Sequence, residues 1–65
     1  MPFFCYIHRT TGGVPHFEVL PEITTDSAVM RAAQLLAERR DGERAELWLG
    51  DTLVAVLPRA AAAAA

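Results

Sequence analysis

Three groups of side chains in this sequence have types and spacings suited to chemistry. His8 and His16 flank the stretch Thr10-Thr11-Gly12-Gly13, and strands paired across that turn would bring the two imidazoles together. A histidine pair can begin a metal site, but a stable zinc site takes three or four ligands. Cys5 has the opposite strand parity from His8 and is a poor third ligand, while Glu18 is a better one. The simpler expectation is a pair of solvent-exposed hairpin histidines with no metal. Cys5 itself lies in Phe3-Phe4-Cys5-Tyr6-Ile7, the most apolar strand-like run. A nucleophilic thiol needs a base and an accessible thiolate, so a buried structural cysteine is expected instead. The third group is Arg39, Arg40 and Arg44, a potential phosphate or nucleic-acid contact. Asp41 and Glu43 interleave with them, so solvated arginines that complement a helix dipole are the plainer reading. Nowhere do a nucleophile, a base and an orienting group occur together. The glycine-containing turn lacks both the P-loop lysine and the GxGxxG spacing. The expectation is a protein that is not an enzyme and carries no cofactor.

The elements that must position these groups can be read from pattern. Phe3 to His8 is aromatic and β-branched, which favours a strand. It is apolar at both parities, which predicts cover on both faces. After the glycine turn, His16 to Leu20 alternates and predicts a half-buried, peripheral strand ended by Pro21. Thr24, Thr25, Asp26 and Ser27 all suit a helix N-cap, with Thr25 or Asp26 preferred. In the helix that follows, Val29, Ala32, Ala33 and Leu36 keep i, i+3, i+4, i+7 spacing, with Arg31, Gln34 and Glu38 on the polar side. Arg39 and Arg40 suit the negative end of the dipole, and Gly42 is a plausible stop. Two further strands, Ala45 to Leu49 and Leu53 to Leu57, form a hairpin around Gly50-Asp51. A two-residue loop there needs positive φ at Gly50 in a type II′ turn. It would set Leu49 opposite Thr52, Trp48 opposite Leu53 and Leu47 opposite Val54, although a one-residue slip would reverse the faces.

The sequence therefore predicts an α+β domain of order ββαββ, with one helix packed on one face of a four-stranded mixed sheet. Because the first and last strands are apolar at both parities, they are expected to be central. The spatial order is then 2-1-4-3, with a parallel central pair and a right-handed connection. One helix covers only one face. The other would expose an apolar patch, built on Phe4 and Tyr6 or alternatively on Phe3, Cys5 and Ile7, with Trp48 and part of the last strand joining whichever set lies there. Phe4, Tyr6, Trp48, Leu53, Val54 and Val56 are the preferred set, and such patches usually mark an interface or a ligand site. Self-association is the leading expectation, a homodimer above all. Cover by loops and the C-terminal tail is a second and a flat ligand a third. An alternative function is a binding module for nucleic acid or a partner protein using Arg39, Arg40 and Arg44.

Composition bounds these readings. Of 65 residues, 52% are hydrophobic, but the terminal Ala60 to Ala65 run inflates that figure. Without the run, 28 of 59 residues are apolar, ordinary for a globular domain and too apolar for a disordered chain. A single domain over residues 1–58 is expected, with 59–65 as an alanine-rich tail. The net charge is −2 and all six basic residues are arginines, a poor basis for counterion-release binding to DNA. A run of six alanines is too short for a stable isolated helix, so an ordered tail would need something to dock on. No apolar stretch approaches the roughly 20 residues that span a bilayer, and no signal-peptide pattern is seen. One cysteine excludes an intramolecular disulfide, and a reducing cytoplasm is the expected location. A domain of about 60 residues buries only about 60% of its unfolded surface, so a second copy is a natural source of further burial.

Met1-Pro2-x-Phe4-x-Tyr6, the helix segment Asp26-x-Ala28…Ala32…Leu35-Leu36-Ala37, and Glu46-Leu47-Trp48-x-Gly50-Asp51-x-Leu53-Val54 resemble a family of small uncharacterised proteobacterial ββαββ proteins, a domain of unknown function. The resemblance runs to Pro58 and its motifs are structural. It implies the ββαββ fold and no catalytic residues. The chain departs from the family in its first turn, where Thr10-Thr11-Gly12-Gly13 replaces a longer acidic, glycine-containing loop.

Overall fold

The computed structural model describes residues Pro2 to Ala60. Five elements follow in the expected order: β1 (Phe3–Arg9), β2 (His16–Leu20), α1 (Thr25–Glu38), β3 (Gly42–Leu49) and β4 (Thr52–Pro58). They form an α+β fold, one four-stranded sheet with a helix on one face.

The strand order is β2-β1-β3-β4, and all three neighbouring pairs are antiparallel. This corrects the expected mixed sheet of order 2-1-4-3: β3 lies beside β1, and β4 is an edge. The short return from α1 lays β3 along nearly all of β1, from Phe3 opposite Leu49 to Arg9 opposite Gly42. The hairpin then adds β4 on the outside. Since β2 and β3 are both antiparallel to β1, they run parallel to each other, and α1 joins them across it. Apolar residues at both parities of β4 measured how much apolar surface that strand carries, not its place in the sheet.

Side-chain alternation along β1 divides the molecule into two faces. Phe3, Cys5 and Ile7 point to the helix side and join Leu20, Ala45 and Leu47 with Ala28, Ala32, Leu35 and Leu36 of α1 in the buried core. Ala28 and Ala32 have no exposed surface, and their small side chains let the helix lie close to the sheet. The buried stripe of α1 takes in Ala28 and Leu35 with Ala32 and Leu36. The expected Val29 packs at its margin. Thr24, one residue before the preferred cap, is the true N-cap: its hydroxyl accepts from Ser27 N at 3.2 Å, which satisfies one of the unpaired N–H groups of the first turn.

The other end of α1 also departs from expectation. No basic residue lies in the last turn. The donor is Arg59, whose Nη1 donates to the carbonyls of Leu36, Arg39 and Gly42. A guanidinium from beyond β4 thus serves the negative helix end expected to fall to Arg39 and Arg40, and Arg59 belongs to the packed domain rather than to a tail. Residues 61–65 of the alanine run lie outside the described residues. Gly42 does not stop the helix through positive φ but begins β3 in a crowded place. A Cβ there would stand 2.8 Å from Leu36 Cδ1 and 3.3 Å from both Arg39 O and Arg59 Nη1.

The second hairpin keeps part of the expected register. Gly50 has φ of 60°, Leu49 faces Thr52, and Trp48 faces Leu53. The register then shifts, and Leu47 faces Ala55 instead of Val54. Val54 is the extra residue of a β-bulge, which changes which face the rest of the strand presents. Ala55 and Leu57 therefore pack against the core, while Val56 shares the opposite face with Glu46, its cross-strand partner.

Candidate functional site on the open sheet face

The face away from α1 is built by all four strands. β1 contributes Phe4, Tyr6 and His8, and β3 contributes Arg44, Glu46 and Trp48, by alternation from the buried set. β2 supplies Phe17 and Val19, because Tyr6 pairs with Phe17 and Phe4 with Val19. β4 supplies Leu53 and Val56. Phe17 stacks on Phe4 at a centroid distance of 5.7 Å and tilts against Tyr6 at 5.0 Å, both within the favourable range for aromatic pairs.

Sequence reasoning placed Phe4, Tyr6, Trp48, Leu53 and Val56 here correctly, and Val54 sits beside them at the bulge, 36% exposed. It missed Phe17 and Val19, which are 45% and 57% exposed. The alternation of β2 was legible, but not which side of it faces the helix. His16 and Glu18 lie on the helix side and the apolar pair lies on the open side. An aromatic at position 17 matched in parity to Tyr6 was the available signal.

A trough of about 490 Å³ runs along the β1/β3 pair on this face, from Gly50 and Asp51 at one end to His8 and Pro15 at the other. Phe4, Tyr6 and Trp48 form its aromatic lining, and Glu46 is its central charge. Trp48 Nε1 donates to Glu46 Oε1 at 3.4 Å. His8 Nε2 lies 3.2 Å from the same oxygen, close enough for an ion pair, but it is off the hydrogen-bond line and otherwise lacks a partner. Together His8, first, and then the indole N–H hold the Glu46 carboxyl below its ordinary value, outweighing the opposing effect of burial.

The two histidines do not meet. His16 pairs with Ile7 across the sheet, so it shares the helix side with Ile7 while His8 occupies the open side. The separation follows from alternation, since partners across a ladder share a face and neighbours along a strand do not. His16 Nε2 instead approaches Glu18 Oε2 at 3.7 Å. Among the described residues no cluster of three metal-ligating side chains occurs.

Cys5 is buried, with Glu18 as its cross-strand partner. Burial, with a smaller contribution from the Glu18 charge, pushes its thiol up to about 11, so it is a protonated core group at neutral pH. The three arginines are divided. Arg39 and Arg40 line a polar depression at the end of α1 with His16, Glu18, Glu38 and Asp41. Arg44 lies on the open-face side of β3 and pairs with Glu43 at 2.9 Å. Asp41 is bound by Arg9 Nε at 2.8 Å, and that bond is the main reason its carboxyl titrates below the usual value.

Compared with family models, with curated proteins and with solved structures, the chain matches none. The resemblance to small proteobacterial proteins rests on the residues quoted for it alone. No helix among the described residues is long and apolar enough to cross a membrane.

Proposed function

We propose that this protein is a small non-enzymatic domain that works by association, two copies packing open sheet face against open sheet face. The observation that carries the reading is that all four strands present large apolar side chains on this face: Phe17 and Val19 on β2, Phe4 and Tyr6 on β1, Trp48 on β3, Leu53 and Val56 on β4. Both edges are half exposed, an arrangement that monomers rarely leave in water. Size supports the same reading. The molecule measures 31 × 25 × 15 Å, and its broad outline matches the about 800 Å² that a standard interface takes from each partner. A second copy also supplies the burial that one small core lacks. The single buried thiol suits a reducing, cytoplasmic setting.

The arginine reading is the weaker. Arg44 is engaged by Glu43, acidic side chains line the depression beside Arg39 and Arg40, and the net charge is −2.

Sedimentation equilibrium over a wide concentration range tests the proposal. The mass should rise from 7.1 kDa toward twice that value. Val56→Glu should weaken association by at least about tenfold, since a charge buried in an apolar interface costs more than about 1.4 kcal/mol, without changing the far-ultraviolet circular dichroism. A wild-type chain that stays monomeric at the highest attainable concentration would sink the idea.

A further inference from the structure

We propose that the trough between Gly50 and Pro15 is a binding site for a small organic cation, an alkylammonium ion with an apolar body. Its volume of about 490 Å³ lies within the range of small-molecule sites. Its chemistry selects the sign of the guest. Phe4, Tyr6 and Trp48 offer aromatic rings, whose faces attract cations. The charged groups are the Glu46 and Asp51 carboxylates, with His8 as the one basic side chain in the lining.

Glu46 makes the case specific. It stands on an inner strand, with Tyr6 and Val56 as its cross-strand neighbours, amid the apolar surface of the open face. A neutral apolar guest laid over it would strip a carboxylate of water and leave only the nearby His8 and Arg44 to offset its charge, which is costly. An anion would be repelled by both carboxylates. The internal partners do not complete the site: the Trp48 bond is long at 3.4 Å and His8 is misaligned. Both contacts fall on Oε1, which leaves Oε2 to face the charge of a guest whose methylene or methyl groups rest on the rings. The inference goes beyond self-association but uses the same face, so a bound cation neutralises Glu46 within the surface that a second copy would cover.

The test compares choline with 3,3-dimethylbutan-1-ol, its uncharged carbon isostere, by titrating the full chain and following Trp48 fluorescence and amide chemical shifts, with the mass recorded in the same samples. Choline should saturate, and the isostere should bind at least about tenfold more weakly, since charge is the difference between them. Glu46→Gln should lower choline affinity by about tenfold. Tyr6→Leu, which keeps apolar bulk and the Trp48 reporter, should lower it severalfold. Equal affinity for the isostere, indifference to Glu46→Gln, or no saturation at any protein concentration would overturn the proposal. Choline binding to a chain that stays monomeric removes the association reading and leaves the cation site standing. A dimer that ignores choline at every dilution does the reverse.

Discussion

The two faces of one sheet are made from the same strands, yet they differ in kind. On the helix side, Ile7, Leu36, Ala45 and Leu47 have no exposed surface, and each small or branched side chain is matched to a neighbour. On the open side, Phe17, Val19, Leu53 and Val56 are as apolar but remain about half exposed, and an ionised Glu46 stands among them. The difference teaches that the apolar content of this chain serves two purposes. One face holds the fold together, and the other leaves apolar side chains half exposed, the surface proposed above for association. Packing precision distinguishes them: removing atoms from the first leaves a cavity, whereas the second has solvent on one side.

The largest expected effect breaks this contrast directly. Leu36→Ala should destabilise the fold by about 3 kcal/mol, the usual cost of a large-to-small change at a fully buried site, while Val19→Thr should change stability by less than about 0.5 kcal/mol. Urea denaturation of both variants, at a concentration where the chain is monomeric, measures the pair; equal losses would erase the distinction. Next is Gly42→Ala. Its new methyl would meet Leu36 Cδ1, Arg39 O and Arg59 Nη1, so a loss of about 2 kcal/mol from overpacking is expected in the same assay. A neutral result would mean that the Arg59 lock on the helix end yields easily.

The smallest expected effect sharpens the open side. The folded state holds the Glu46 carboxyl below its ordinary value of 4.5, chiefly through His8. A depressed carboxylate contributes stability that is present above the unfolded value and is lost as pH falls from about 4.5 through the lower folded value. Glu46 is accessible enough that screening reduces this to a few tenths of a kcal/mol. Glu46→Gln should therefore flatten the acid limb of stability slightly, lowering stability by those few tenths of a kcal/mol at neutral pH and leaving it unchanged in strong acid, below the folded-state value. Melting temperatures recorded across the acid range would show it, and an unchanged acid limb would mean that the His8 contact does not hold in solution.

Much of the fold was legible in the residues. The alternation and aromatic content of β1, the capping residues before α1, the helical spacing and the Gly50 turn placed every element within a few residues. The open face was legible in part, because Phe4 and Tyr6 share a parity in β1 and the hairpin pairs Trp48 with Leu53, while Val56 reaches that face only through the bulge. The rest was not. The orientation of β2 depended on whether Phe17 prefers the aromatic cluster with Phe4 and Tyr6 or the core. The bulge at Val54 turns on a single unpaired residue, and the capping role of Arg59 on contacts across 17 to 23 positions of chain. Each is a competition between distant partners that no local window contains.

The sequence by itself determined which segments become strands and helix, because periodicity, caps and turn residues act over a few neighbours. It also determined that apolar surface exceeds what one helix can cover, since that is a matter of count and parity. Only the tertiary structure decided that β3 lies between β1 and β4, that His8 and His16 face opposite ways, and that Glu46 lines one trough with three aromatic residues. Those outcomes depend on which long-range ladder buries the most surface with the fewest unpaired backbone groups, a comparison that exists only once the whole chain has folded.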